Sequence, residues 1–259
     1  MTRGCASRLL VLSANGNLRA LLSGLIFAVT AQAALGGALS TLRTHISSWW
    51  TVEGGAPRDL LAIAGVDHWA GLAMGGLWLA AALFFALRSP QRSVWMWLGG
   101  MGTGLSVAAA WGFSQWVAAE SFDPVQIQGL TFSGPSAEWL MRVMHWPAPP
   151  IGFDFGLMPG VFVGSLIGAL VGGDWKLEGF SDGYSMRRYI GGAILMGFGS
   201  MLAGGCAVGA GVTGGAIFAL TAWLSLVGMW TGAGLTDRWL DGGAAEKPTS
   251  LPAEGFKLP

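Results

Sequence analysis

Five stretches of this chain, Leu18 to Ser40, Trp69 to Leu87, Val94 to Ala118, Phe153 to Gly172 and Ala216 to Gly234, are apolar over about the 20 residues needed to cross a bilayer core. Hydrocarbon offers no partner for peptide groups, so such stretches are stable there as helices that satisfy their own backbone. Charged residues make up 11% of the 259 and hydrophobic residues 53%, against about 25% charged in a soluble domain. A chain with so little polar surface cannot cover itself in water. It is read as an all-α integral membrane protein, with the lipid bilayer as its main partner. The formal net charge is zero, so no electrostatic argument for a nucleic-acid partner exists, and none is expected.

A sixth segment, Tyr189 to Ala203, is apolar over a length that reaches only about 22 Å at the rise of an α-helix. It would stop inside the membrane or finish the crossing through its glycine-rich continuation. If each of the six segments crosses once, eleven Lys and Arg residues fall on the side of the N-terminus. Arg43, Arg58 and Arg142 fall on the other. Positive charge marks the cytoplasmic side, so both termini are expected in the cytoplasm and the chain in a bacterial-type inner membrane. A re-entrant 189–215 would reduce the bias to eight against six. Trp49, Trp50 and Trp69 would mark one interface, and Trp95, Trp97 and Trp175 the other.

Residues 1–240 are expected to form one polytopic domain, with halves at about 1–118 and 153–236 and a polar tail at 241–259. The halves are joined by an outer loop, about 119–152. Within it a helix starts at Ser136 and stops at Pro147, and the face carrying Trp139, Leu140, Val143 and Met144 suits the outer interface. Leu21 to Thr30 followed by "AQA" resembles a signal peptide, but the apolar pattern runs on through Leu35 and Leu39. It is read as an uncleaved span.

"LAGGCAVGAGVTGG", Leu202 to Gly215, places Cys206, one of two cysteines, among six glycines with no charge. The other, Cys5, opens "RGCASRLLVLSANGNLRALL" in a similar layout: a glycine, a cysteine, a small residue, a break, then a long helix. Asn17 follows Cys5 by 12 positions and Gly215 follows Cys206 by 9, which reads as a weak internal repeat. Transporters are often built from such repeats, with broken helices meeting at a central site. Glycines that unwind a helix at membrane depth imply a cavity, since free backbone is tolerated only there or against protein. A helix starting at about Ala216 would aim its positive end and free donors into that cavity, where an anion is the natural occupant. A thiol adds a polarizable sulfur and a weak donor suited to a sulfur-bearing guest.

The bland reading is that free cysteine is usually a buried small hydrophobe. The pathway is nevertheless assigned to Cys5, Cys206, Gly4, Gly204, Gly205 and Gly209, with Arg3 and Arg8 as an anion mouth that topology signalling would explain equally well. Gln32 is read as an interhelical hydrogen-bonding group, and Asp67, His68 and Gln115 as interfacial. No CxxC or histidine pair suggests a metal, and no catalytic residues or cofactor are expected. Sequence leaves a disulfide between the two thiols open.

Together, "RGCASRLLVLSANGNLRALLSGLIFAVTAQ", "FDFGLMPGVFVGSLIGAL" and "GGAILMGFGSMLAGGCAVGAGVTGGAIFALTAW" resemble the YeeE/YedE family of sulfur-compound transporters. The likeness extends to about Asp237. It implies an hourglass-shaped helical protein importing thiosulfate or a related sulfur anion, in which Cys5 and Cys206 pass the anion inward by S–H hydrogen bonding, with a cytoplasmic sulfur-accepting protein as a partner. Family members begin well upstream of the first cysteine motif, whereas Met1 lies four residues before Cys5. The chain is therefore expected to be shortened relative to the family. Two other classes stay open: a non-transporting subunit or fragment that needs a partner, and a membrane thiol sulfurtransferase.

Overall fold

The computed structural model describes residues 4–51, 58–66, 68–88, 94–120, 129–144, 154–180 and 183–240. The described residues are nearly all helical, with two isolated bridges and no sheet among them. In order come α1 (Ala6–Ala14), α2 (Leu18–Gly36), α3 (Ser40–Ser47), α4 (Leu60–Ala64), α5 (His68–Arg88) and α6 (Val94–Glu120). They are followed by α7 (Ser133–Met144), α8 (Asp154–Gly172), α9 (Gly183–Leu202), a π-helix at Gly209–Gly214, and α10 (Leu220–Leu240). Three spans among the described residues are long and apolar enough to cross a membrane, Leu18–Gly36, Trp69–Arg88 and Phe155–Gly172. The polar tail lies outside the described residues.

The centre of the fold is α2. Asn17 starts it by accepting the Ala20 N–H at 3.0 Å, and its face of Phe27, Ala31 and Ala34 is buried against α9, α1 and α7. Small residues permit this closeness, as at many membrane helix contacts. A Cβ on Gly197 of α9 would stand 2.9 Å from the Phe27 carbonyl. By contrast, α5 is apolar on every side and buries none of its membrane-length window.

Contacts along the helices give their directions. Gly197 faces Phe27 and Thr30, while Met201 clusters with Ala31 and Ala34, so α2 and α9 run parallel. Ser225 of α10 donates to the Ala203 carbonyl, just past the end of α9, at 3.4 Å. Together with the shared wall described below, this contact makes α10 antiparallel to α9. Ala6 and Leu10 lie with Leu157, Met158 and Val161, and Ser165 donates to the Val11 carbonyl at 3.3 Å, so α1 runs along α8.

Four sequence expectations need correction. The sixth segment is not short: α9 has 20 residues, about 30 Å, because the helix extends back through Arg187 and Arg188. The last helix begins at Leu220 rather than Ala216, and only Gly204 and Gly205 break the helical path, whereas Gly209, Gly211, Gly214 and Gly215 are wound, since residues 207–216 form one short helix with the π-turns inside it. The first span ends at Gly36, short of Ser40. Finally, α7 inserts its first turns into the protein, burying Ser133, Pro135, Ser136 and Ala137 against α2. Trp139 stacks on Phe155 at 4.7 Å, while Val143 and Met144 are exposed. Small residues, not the apolar stripe, form its tightest contact.

Candidate functional site: two thiols on one cavity

Each cysteine stands immediately before a short helix. Cys5 is the N-cap of α1, in extended conformation and with no side-chain cap, and its carbonyl accepts the Leu9 N–H at 3.0 Å. Cys206 repeats the arrangement, its carbonyl accepting the Ala210 N–H at 2.8 Å. The first-turn amides of such helices have no partner within the helix, and the helix dipole gives that end a partial positive charge.

Both short helices end in a clamped break. After α1, Lys176 N–H donates to Asn15, Glu178 N–H to Gly16 and Leu18 N–H to Glu178, all through backbone carbonyls, and the Asn17 side chain donates to the Glu178 carboxylate at 2.7 Å. Gly16 has φ +94°, and a Cβ there would lie 2.5 Å from the Lys176 carbonyl oxygen, so only glycine fits. After residues 207–216, Leu60 N–H donates to the Phe218 carbonyl at 3.1 Å, and Asp59 pairs with Ala219. Phe218 is the one non-glycine residue with positive φ among the described residues, at 54°. Gly16 and Phe218 each stand two positions before their long helix. Asn17 and Ala219, rather than Gly215, are the residues that directly precede the two long helices.

The breaks lie at opposite ends of the helices. Asn17 opens α2 beside Arg19, whereas Ala219 opens α10, whose far end carries Asp237. Between them, Ala6, Phe27, Phe132 and Cys206 form one buried cluster. The short helices thus start near a common level and run in opposite senses.

A cavity of about 1140 Å³ has both Cys5 and Cys206 in its wall. Two stripes form much of the rest, Arg188, Gly192, Leu195 and Gly199 on α9 and Ser225, Gly228, Gly232 and Thr236 on α10. Both cysteines are free thiols. Cys5 is half-buried and shares a hydrogen bond with the Ser7 hydroxyl at 3.1 Å. Cys206 is 5% exposed, and its sulfur accepts the Phe132 N–H at 3.4 Å with the Thr131 hydroxyl at 3.9 Å.

The glycines serve separate purposes. Gly204, with φ +77°, ends α9 as a left-handed C′ residue, and the Gly205 N–H donates to the Ser200 carbonyl at 2.9 Å, closing the helix as a Schellman motif does. This turn delivers Cys206 to the cavity. Gly209 lets the next helix approach the segment before α7, since a Cβ there would meet the Thr131 hydroxyl at 2.9 Å. Gly4 lines the cavity. Arg8 does not: it is exposed and covers Gly4, where an added Cβ would meet its side chain at 3.1 Å. Arg3 lies outside the described residues.

Sequence reasoning missed Arg19, Arg188 and Asp237, which all line the cavity. In the sequence alone the arginines read as topology signals. Their signal was positional: Arg188 continues the helical stripe of Gly192, Leu195 and Gly199.

Over residues 1–235 the chain matches the family described as Sulphur transport. The chain belongs to that family. Over 111 residues it is 32% identical to the thiosulfate transporter TsuA of Escherichia coli (strain K12), an alignment covering 41% of this chain. The chain thus spans about a third of that relative, 31% of its length.

Proposed function

We propose that this family member is a multi-pass inner-membrane permease for thiosulfate or a related sulfur-bearing anion, a conduit rather than an enzyme. One observation carries the proposal. Two free thiols, each at the positive end of a short helix, open on one cavity. Helix N-termini favour anions, and polarizable thiols favour contact with sulfur. Thiosulfate presents both a double negative charge and a terminal sulfur. The name of the Escherichia coli relative supports the same substrate.

On this reading, six segments cross the membrane and the two cysteine-bearing halves form an inverted repeat. Both termini and the Arg19 end of the cavity face the cytoplasm on this reading, which the positive-inside count supports. The anion moves inward past Cys5 and Cys206, which offer S–H donors, toward a cytoplasmic sulfur-accepting protein. Gly4, Gly204, Gly205 and Gly209 shape the path.

The deciding experiment is uptake of radiolabelled thiosulfate by cells lacking other import routes, with the amount of protein in the membrane measured alongside. Uptake above a vector control, competed by unlabelled thiosulfate and not by sulfate, is expected. Membrane-inserted protein with no uptake above the control overturns the proposal.

A further inference from the structure

We propose that the segment Gly129–Ser133 holds the Cys206 sulfur in the orientation that serves the anion, with Thr213 and Thr131 as positioning residues. This deepens the transport reading and rests on it for the identity of the anion. Three contacts lay the segment along the short helix 207–216. Thr213 donates to the Leu130 carbonyl at 2.7 Å. Gly209 comes so close to Thr131 that a Cβ there would stand 2.9 Å from its hydroxyl. The Phe132 N–H reaches the Cys206 sulfur at 3.4 Å. Residues 130, 131 and 132 thus meet 213, 209 and 206 in turn, so segment and helix run antiparallel. Gly129 closes the contact, since a Cβ on it would lie 2.5 Å from the Thr213 methyl.

The segment enters and leaves on one side. Phe132 clusters with Phe27, halfway along α2, and Ala137, one turn into α7, clusters with Ala31 and Ala34 nearer the end of α2. The helix 207–216 also runs toward that end, so Gly129 and α7 both lie there. Phe132 and Ser133 are the tip of a re-entrant hairpin at the level of the thiol. None of the residues from Gly129 to Ser133 lines the cavity, whereas Cys206 does. The sulfur therefore stands between the tip and the cavity.

A thiol accepts through its lone pairs and donates through its single proton. The Phe132 amide takes up an accepting position, which leaves the proton as what the sulfur can offer a guest in the cavity. Hydrogen bonds in series strengthen one another where the dielectric is low, so an amide behind the sulfur makes the S–H a better donor to an anion in front of it. Thr213 fixes where that amide stands through its bond to Leu130. The Thr131 hydroxyl steadies the tip between the Cys206 sulfur at 3.9 Å and the Ser133 hydroxyl at 3.4 Å.

The test pairs two near-isosteric exchanges, Thr213→Val and Thr131→Val, with Thr213→Ser, which keeps the hydroxyl. In the full chain in detergent, labelling by the neutral reagent methyl methanethiosulfonate is read by mass spectrometry as the ratio of Cys206 to Cys5. The ratio should rise about fivefold in Thr213→Val and about threefold in Thr131→Val, the size of change that one hydrogen bond supports, and stay parental in Thr213→Ser. In cells, the KM for thiosulfate should rise about fivefold in Thr213→Val at an unchanged maximal rate per inserted protein. A merely structural role would lower the rate or the abundance and leave KM alone. Thr131→Val carries the test if Thr213→Val does not insert. A parental ratio in both valine variants, or a raised ratio with an unmoved KM, overturns the positioning role. A parent that takes up no thiosulfate refutes the transport reading alone, and the labelling ratio then decides by itself whether the segment holds Cys206.

Discussion

Cys5 and Cys206 begin equivalent short helices, but they are held by different parts of the molecule. The Cys5 thiol rests on Ser7 of its own helix and is half-buried. The Cys206 thiol is tied to Phe132 and Thr131, 74 and 75 residues away in sequence. The breaks that follow differ in the same way. The first is closed by a glycine under a backbone clamp from 176–178, the second by a strained Phe218 held to Leu60. A locally held thiol can adjust without disturbing the fold, whereas the Cys206 thiol is part of the contact between two helices and the loop before α7.

The comparison is broken most completely by topology. If the two breaks face opposite sides of the membrane, a reporter active only outside the cytoplasm should be on when fused after Thr51, near the Asp59 break, and off after Gly179, near the Asn17 break. Equal activity at both sites removes the inverted arrangement.

Next in size is the effect of losing either thiol. Cys206→Ser should lower thiosulfate uptake at least about tenfold, the equivalent of about 1.4 kcal/mol, at unchanged membrane abundance. Serine keeps a donor of similar size but loses the polarizable contact. Cys5→Ser should cost less, about threefold, because its more open setting lets the anion bypass it. Parental uptake by both Cys206→Ser and Cys206→Ala would make this thiol a buried hydrophobe.

The breaks themselves separate by stability. Gly16→Ala should lower stability by about 2 kcal/mol or more, because it adds backbone overlap to the penalty of positive φ, with Lys176 in the way. Gly204→Ala meets open space and should cost only about 1 kcal/mol of conformational strain. Thermal unfolding in detergent measures both. An equal loss at the two positions would show that the clamp over Gly16 yields.

Much of this plan is legible in the sequence because thiols and glycines are scarce or clustered in ways chemistry explains. The cysteines' place before helices follows from glycine ahead and small residues behind. Other features are hidden for physical reasons. Arg187 and Arg188 end an apolar count although a helix carries them easily, so hydropathy alone makes α9 too short. Phe218 takes a conformation that glycine usually signals, which displaced the second break onto Gly215. Direction and cavity depend on which helices touch, and no single segment encodes that.

The smallest effect belongs to Ser7. Its hydroxyl is the side-chain partner of Cys5 at 3.1 Å, while Cys206 has a backbone amide that no side-chain substitution removes. Ser7→Ala should therefore change the reactivity of one thiol only. Without the hydroxyl, the Cys5 sulfur is freer to meet solutes, and its labelling by methyl methanethiosulfonate should rise about twofold, in keeping with one weak, half-exposed hydrogen bond. Labelling of Cys206 should not move, because nothing in its Phe132 and Thr131 anchorage passes through Ser7. A matching rise at both thiols would mean that Ser7 controls entry to the cavity rather than one sulfur. The two thiols would then be gated together, and the contrast between local and distant anchorage would carry no functional weight.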